Sequence, residues 1–209
     1  MSRRSAQISP SLMCADLLAL GDDVRELVEL GADYLHLDIM DGHYVPNLTL
    51  GTGIARTLAE QFSVPLDIHL MVDEPDSWVP VFLDAAAPGV SPYVTIHPET
   101  TWHPARTLAA IRKGGGHPGF AVDPSLSASQ SANLLELVDL VLVMTVNPGY
   151  AGQQLLPWTL KNVEWLANER SRRDLDFLIE VDGNVSWENI PRMLSMGADV
   201  LVVGSSSLF

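Results

Sequence analysis

The sequence has little cysteine, little lysine and no long apolar run. Its one cysteine, Cys14, cannot form an internal disulfide. Lysine occurs only at Lys113 and Lys161, both in segments predicted to be helical, and the formal net charge is -14. Because phosphate-backbone affinity needs clustered Lys and Arg, this composition argues against a nucleic-acid partner. No apolar run reaches the roughly 18 residues that span a bilayer, and no signal peptide is evident, so we expect a cytoplasmic protein without a membrane partner.

Eight short apolar segments rich in β-branched residues recur along the chain and predict strands. They span residues 7–11, 34–40, 66–71, 93–97, 119–122, 140–146, 177–181 and 200–203. Segments with helical periodicity separate them, such as 17–30, where an apolar stripe is formed by Leu20, Val24, Leu27, Val28 and Leu30. Strands that are apolar on both faces are typical of parallel sheets covered by crossover helices. The alternation therefore predicts an α/β fold, a (β/α)8 TIM barrel, in one domain over residues 1–209.

The ends of this pattern carry two further signals. Gly-Ala-Asp occurs at 31–33 and again at 197–199, before the second and eighth strands, where a glycine is expected to stop a helix. The eighth outer helix is missing, because only GSSSLF follows the last strand. We expect that a tail absent from this sequence, rather than a neighbouring subunit, covers the seam between the first and seventh helices.

Polar residues close the predicted strands, and barrel active sites lie at the carboxyl ends of the strands. These residues are Ser11, His36, Asp38, His69, His97, Asp123, Asn147, Asp182 and Ser205. His36 and Asp38 are two residues apart on one strand, so their side chains share a face. Together with His69 and Asp182 they offer two imidazoles and two carboxylates. This donor set predicts one divalent metal ion, Zn, Fe(II), Mn or Co, with Mg disfavoured.

Asp38 and Asp182 lie on the second and seventh predicted strands, across the barrel from each other. Such a pair can carry protons on both sides of a bound substrate. A carbon acid next to a carbonyl loses its proton only if the resulting enediolate is stabilised, and a metal touching both oxygens supplies that stabilisation. One carboxylate removes the proton and the other returns one to the opposite face, so the predicted outcome is inversion at that carbon.

A small phosphate would have to be held mainly by backbone, because both lysines lie in predicted helices. Glycine-containing turns follow strands six, seven and eight, where backbone N–H groups can point at an anion. The predicted phosphate-binding residues are Gly149, Tyr150, Ala151, Gly152, Gly183, Asn184, Gly204 and Ser205. Met40, Met71 and Met144 end strands near the polar groups, and either fill the core or form a water-poor floor under a planar intermediate.

Seven segments together give the chain a family resemblance. They are SPSLMCAD, HLDIMDGHYVPNLTLG, DIHLMV, TIHPET, VMTVNPGYAGQ, IEVDGN and VVGSSSLF. The chain resembles ribulose-phosphate 3-epimerases and their close relatives that act on phosphorylated hexuloses. SLMCAD, HPET and the GSSSLF ending look more like the D-allulose-6-phosphate 3-epimerase branch, whereas pentulose enzymes usually have SLLSAD and VDGG. Asn184 is the residue next best to glycine for a left-handed backbone, so the phosphate loop need not be broken.

The resemblance implies a phosphorylated ketose substrate, epimerised at C3, with the four predicted ligands and the two aspartates as acid and base. It also implies that Ser11 and His69 contact the substrate, that the loop 147–153 closes as a lid, and that the protein is a homo-oligomer. We expect the D-allulose 6-phosphate and D-fructose 6-phosphate pair narrowly ahead of the alternative pair, D-ribulose 5-phosphate and D-xylulose 5-phosphate.

Two other functions are compatible with such a barrel. A phosphosugar lyase is disfavoured, because Schiff-base aldolases need a strand-end lysine and the related decarboxylases need a D-x-K-x-x-D run, where this chain has Met40. A non-catalytic phosphosugar-binding barrel would have the same fold, but the intact set of carboxylates and imidazoles argues against it.

Overall fold

The structure, a computed structural model, describes residues 5–209. Its eight strands are β1 (Gln7–Pro10), β2 (Leu35–Met40), β3 (Leu66–Met71), β4 (Tyr93–Ile96), β5 (His117–Val122), β6 (Leu140–Met144), β7 (Leu178–Asp182) and β8 (Val200–Val203). All strand pairs are parallel, in the order β1-β8-β7-β6-β5-β4-β3-β2. A parallel bridge between Ser11 and His36 joins β1 to β2 and nearly closes the ring. The predicted (β/α)8 barrel is confirmed.

Seven helical segments connect consecutive strands in the described part of the chain. They are α1 (Leu20–Glu29), α2 (Thr52–Gln61), α3 (Pro75–Ala86), α4 (Pro104–Lys113), a 3₁₀ helix (Ala128–Leu137), α5 (Leu160–Arg173) and α6 (Ile190–Met196). Short 3₁₀ turns lie at Leu12–Cys14, Pro98–Thr100 and Pro157–Thr159. Within residues 5–209 no helix follows β8, as the sequence predicts, and Lys113 and Lys161 lie in α4 and α5.

The predicted boundaries differ from the observed ones by a few residues. The first helix begins at Leu20 instead of residue 17, and Leu18 is almost fully exposed. Leu20, Val24 and Leu27 are buried as predicted, but Leu30 is 75% exposed, because it follows the last helical turn and does not face the sheet. The sixth strand ends at Met144, two residues early, and the seventh extends to Asp182.

The main apolar core lies between the sheet and the surrounding helices. Along each strand alternate side chains point into the barrel, and most of these inward positions on β2, β3 and β7 are polar. They carry His36, Asp38, Asp67, His69, Glu180 and Asp182. On β5 and β6 the interior is instead closed by a small apolar cluster that includes Leu142 and Met144. The polar side of the barrel interior therefore opens towards one rim of the sheet.

The repeated Gly-Ala-Asp turn is used in the same way at both of its positions. Gly31 and Gly197 adopt φ of 96° and 110°, a left-handed conformation that ends the preceding helix. Asp33 accepts a hydrogen bond from the Ile8 N–H at 2.8 Å, and Asp199 accepts one from the Ile179 N–H at 2.9 Å. Each turn thus fixes the start of one strand against its neighbour.

Within residues 5–209, none of the helices combines the length and the apolarity that crossing a membrane requires.

Candidate active site

The structure brings the four predicted metal ligands together. Their ligand atoms all lie within 4.8 Å of one another. The β2–β3 register places Asp38 beside His69, and β7 brings Asp182 from the other side of the barrel. Asp38 Oδ1 lies 3.2 Å from His36 Nε2 and 3.1 Å from His69 Nδ1. These two nitrogens therefore face the space shared with the carboxylates, and the set could hold a metal ion.

His36 is oriented from behind by a second buried carboxylate. Its Nδ1 lies 2.6 Å from Oδ2 of Asp67, the β3 residue opposite His36 in the register. Ser9 donates a hydrogen bond to the same oxygen at 2.8 Å. Glu180 from β7 also lies close to this group. Because Nδ1–H donates to Asp67, Nε2 is the nitrogen that His36 turns towards Asp38, which is the arrangement found around metal-bound histidines.

The charges behind His36 are balanced among these side chains. Burial alone would lower the pKa of the His36 imidazole, but the Asp67 and Asp38 carboxylates raise it well above its usual value. Burial and the charge of Asp67 raise the pKa of Glu180 well above the ordinary range for a carboxyl group. This shift favours the neutral form of Glu180 and so lessens the negative charge of the buried interior.

Asp38 and Asp182 have opposite electrostatic environments. Burial alone would raise the pKa of Asp38, but the adjacent His36 and His69 hold it far below its usual value. Burial and the negative charge of Asp38 raise the pKa of Asp182 to about 7. Ser11 donates a hydrogen bond to Oδ2 of Asp38 at 2.8 Å, which also favours the ionised form. The pair thus combines an ionised carboxylate with one that holds a proton near neutrality, a pattern typical of acid–base sites.

A cavity opens beside these two aspartates at the carboxyl ends of the strands. Its empty space, counted together with the part that is open to solvent, is about 550 Å³. Ser11, Asp38, Asp182 and all three predicted methionines, Met40, Met71 and Met144, line it. His36 and His69 are completely buried and are not among the lining residues. The structure therefore places His69 behind Asp38, and its predicted contact with substrate stays a prediction.

The predicted phosphate residues surround the outer part of the same cavity. Gly149, Tyr150, Ala151, Gly152, Gly183, Asn184, Gly204 and Ser205 all line it. None of its described lining residues is Lys or Arg. Asn184 has φ of 48°, so it adopts the left-handed backbone expected from the sequence. Its side chain donates to Ser206 Oγ at 3.2 Å and accepts from the Leu155 N–H at 3.2 Å, which ties together the loops after β6, β7 and β8.

The loop 147–153 lies against the loop after β2. Asn47 donates to the Gly149 carbonyl at 2.9 Å, and the Tyr150 hydroxyl donates to the Pro46 carbonyl at 3.1 Å. Gln153 donates to the carbonyls of Asn147 and Tyr150 and holds the loop together internally. The loop covers the cavity in this conformation, and its motion as a lid stays a prediction.

Sequence reasoning did not assign roles to several residues that contact the site. Asp67 and Glu180 lie within strands, and His97, Tyr44 and Glu99 form a chain of contacts behind His69. Strand periodicity was an available signal for the first two, because Asp67 shares a face with His69 and Glu180 shares one with Asp182. No local pattern relates Tyr44 to His97, which are 53 residues apart.

Comparisons with known proteins agree with this geometry. The profile of the Ribulose-phosphate 3 epimerase family matches residues 7–209. The chain is 39% identical to a ribulose-phosphate 3-epimerase of Bacillus subtilis over 96% of this chain and 91% of the relative. It is 41% identical to the enzyme of that name from Treponema pallidum over 97% and 91%. A tryptophan synthase α-subunit from Pyrococcus furiosus shares the fold alone, with a TM-score of 0.72 and 16% identity over 98% of this chain and 89% of that one. The family profile spans the barrel from β1 to the last residue of the chain, and the two relatives are similar to it along nearly their whole length. The chain therefore belongs to the ribulose-phosphate 3-epimerase family.

Proposed function

We propose that this epimerase interconverts D-ribulose 5-phosphate and D-xylulose 5-phosphate by inversion at C3. The observation that carries the proposal is the meeting of Asp38 and Asp182, from β2 and β7, at the floor of a cavity rimmed by glycine-containing loops. Epimerisation of a phosphorylated ketose requires two acid–base groups and a phosphate-binding site in the same cavity. The proposal covers residues 1–209 as one cytoplasmic domain, assembled as a homo-oligomer as the resemblance implies.

The comparisons support the pentulose pair better than the hexulose pair favoured by the sequence. The similar proteins from Bacillus subtilis, Treponema pallidum and Escherichia coli all carry the name ribulose-phosphate 3-epimerase, at 38–41% identity. The motifs that suggested D-allulose 6-phosphate, SLMCAD and HPET, do not outweigh this similarity. D-allulose 6-phosphate stays the second substrate to test.

The two aspartates supply the proton transfers. Ionised Asp38 removes the proton from C3, and Asp182, whose pKa is raised to about 7, donates one to the opposite face. In the reverse direction Asp182 is the base and Asp38 the acid. Ser11, hydrogen-bonded to Asp38 Oδ2, holds that carboxylate in place while the proton moves. Met40, Met71 and Met144 keep water away from the planar intermediate.

The four-residue donor set fits a divalent metal ion. His36 Nε2, His69 Nδ1 and the carboxylates of Asp38 and Asp182 would hold it, and their mixture of nitrogen and oxygen suits Zn, Fe(II), Mn or Co better than Mg. When bound, such an ion supplies positive charge that stabilises the oxyanion formed as C3 loses its proton. No cationic side chain among the described lining residues could do so.

The residues that line the cavity argue against both competing functions. A Schiff-base lyase needs a lysine in the cavity, and none is present among the described lining residues. A binding protein without catalysis has no need for two carboxylates with separated proton affinities beside its ligand.

The loops of residues 147–153, 183–184 and 204–205 would hold the phosphate through backbone N–H groups.

Proton exchange with heavy water tests the proposal. We expect the metal-loaded protein to incorporate deuterium at C3 of D-ribulose 5-phosphate and to convert it to D-xylulose 5-phosphate, as followed by NMR. Asp38→Asn and Asp182→Asn should each lower turnover by at least about 100-fold. Asp174→Asn is a matched control, because Asp174 is exposed, lies at the end of α5 and has a left-handed φ of 53° that asparagine tolerates. Absence of C3 exchange with either ketose phosphate, or unchanged turnover in both site variants, would rule the function out.

A further inference from the structure

A chain of four side chains leads from the buried site to the protein surface. His69 Nε2 lies 2.9 Å from His97 Nε2, and His97 Nδ1 lies 2.9 Å from the Tyr44 hydroxyl. Tyr44 donates to Oε1 of Glu99 at 2.8 Å, and His97 Nδ1 is itself 3.1 Å from the same oxygen. Both histidines are completely buried, whereas the side chain of Glu99 is 31% exposed. The chain joins β3, the loop after β2 and the residues just after β4.

A carboxylate lies at each end of this chain, Asp38 at the inner end and Glu99 at the outer end, and Glu99 favours one direction for all of its hydrogen bonds. An ionised Glu99 can only accept, so the Tyr44 O–H donates to it and the Tyr44 oxygen accepts from His97 Nδ1–H. His97 then has a lone pair on Nε2, and His69 must donate to it through Nε2–H. His69 is left with an unprotonated Nδ1, the nitrogen that faces Asp38.

Glu99 disfavours the opposite direction. If His69 were protonated on Nδ1 instead, that N–H would donate to Asp38 at 3.1 Å, and His97 would turn a lone pair towards Glu99, also at 3.1 Å. Two acceptors would then face each other at the outer end of the chain, which is costly. In the Nε2–H tautomer the same cost arises at the inner end, between His69 Nδ1 and Asp38, and a cation held between these two atoms would remove it. In the Nδ1–H tautomer Nδ1 of His69 could not bind a cation, because its lone pair would be used by the proton.

We propose that Glu99, acting through Tyr44 and His97, is a positioning residue that favours the Nε2–H tautomer of His69, which leaves Nδ1 free for a metal ion. This inference rests on the proposed function insofar as His69 is a metal ligand there. Glu99 does not touch the cavity and acts on the site only through the orientation of hydrogen bonds. The corresponding partner of His36 is Asp67, which contacts its imidazole directly.

The Glu99→Gln variant removes the acceptor-only group with almost no change in size. The glutamine amide can donate to Tyr44 or His97, so the whole chain can reverse and His69 can take the Nδ1–H tautomer. We expect long-range ¹H–¹⁵N NMR of metal-free, ¹⁵N-histidine-labelled protein to show a larger share of the Nε2–H tautomer of His69 in the wild type than in Glu99→Gln. Zn²⁺ affinity by calorimetry should fall about 10- to 100-fold, the usual effect of losing an outer-shell partner.

Two further variants separate this role from a general effect on stability or charge. Glu60→Gln removes the same charge from an exposed position on α2, and it should change neither the tautomer nor Zn²⁺ affinity. Tyr44→Phe leaves Glu99 in contact with His97 Nδ1, so its share of the Nε2–H tautomer should stay closer to that of the wild type, and it should lose less affinity than Glu99→Gln. Circular dichroism verifies the fold of each variant.

The possible failures can be told apart. A Glu99→Gln variant with the wild-type tautomer and wild-type Zn²⁺ affinity would overturn the inference while leaving the proposed function intact. A wild-type protein that neither binds Zn²⁺ nor exchanges deuterium at C3 would overturn the proposed function. In that case the tautomer of the metal-free protein would still decide whether Glu99 orients His69.

Discussion

Asp182 should make metal uptake depend on pH in a way that can be calculated from its environment. Burial and the Asp38 charge raise its pKa to about 7, yet a cation needs its carboxylate ionised. At about pH 6 roughly 0.9 proton per site must therefore leave Asp182 on binding, and at about pH 8 only about 0.1. The apparent affinity contributed by this group should rise about tenfold between these two pH values.

The other predicted metal ligands contribute little to the difference in proton release between about pH 6 and about pH 8. Burial lowers the pKa of His69 to about 4, so it is already neutral above about pH 6. Asp38 is ionised throughout, because His36 and His69 lower its pKa far below its usual value against the effect of burial. The Asp67 and Asp38 carboxylates raise the pKa of His36 well above its ordinary value, and these contacts are common to the wild type and the Asp182→Asn variant used for comparison. The change in proton release between the two conditions therefore reports on Asp182.

The sign of the stability effect follows from the same raised pKa. The folded chain holds the Asp182 proton more tightly than the unfolded chain, so the stabilisation from this group is complete below about pH 4 and is lost as the pH rises towards about 7. A shift from 3.8 to about 7 corresponds to at most about 4 kcal/mol. A bound cation should compensate for this loss, so the metal's contribution to stability should increase with pH.

Calorimetric titration with Zn²⁺ in buffers of different ionisation enthalpy measures the number of protons released. We expect about 0.8 more proton released at about pH 6 than at about pH 8 in the wild type, and no such difference in Asp182→Asn. Equal proton release at the two pH values, or the same difference in the variant, would refute the assignment of the raised pKa to Asp182.

Two further predictions concern the phosphate loops. Gly183→Ala should destabilise the fold by about 2 to 4 kcal/mol in urea unfolding, because its Cβ would lie 2.5 Å from the Val146 side chain at φ of 111°. Gly152→Ala is the control: its φ is 76° and no atom lies within 4 Å of the new Cβ, so it should cost only about 1 kcal/mol. Equal costs for the two variants would contradict the packing argument. Asn184→Gly keeps the left-handed backbone but removes the link to Ser206, so KM for the ketose phosphate should rise about fivefold with kcat nearly unchanged. A fall in kcat at constant KM would instead place Asn184 in the chemical step.

The inner ligands could be predicted because polar residues stand out in strands that are otherwise apolar. In a parallel barrel both faces of a strand are covered, so His36, Asp38 and His69 have no structural reason to interrupt apolar runs. Their position at strand ends then predicts the rim on which they meet. The boundaries of the strands mattered little, because a shift of one or two residues at an end does not change which side chains point inwards.

The residues behind the ligands could not be predicted in the same way. The role of Asp67 depends on the β2–β3 register that places it opposite His36, and this register cannot be read from the sequence alone. The partnership of Tyr44 and His97 depends on how the loop after β2 folds over the end of β4. Leu30 was wrongly assigned to the buried stripe because helical periodicity does not locate the residue at which the helix ends.

The charge balance explains how the barrel interior tolerates so many carboxyl groups. The pKa of Asp38 and that of Asp67 are lowered, the pKa of His36 between them is raised, and the pKa values of Glu180 and Asp182 are raised towards the neutral form. The carboxylates whose ionised form is favoured thus face an imidazole, while the other two carboxyl groups favour their neutral forms. A divalent cation bound by the four ligands would displace protons from this cluster, the Asp182 proton among them, as it brings positive charge in. The charge inside the barrel then changes by less than the full charge of the ion, which lowers the desolvation cost that would oppose adding a bare dication to a buried site.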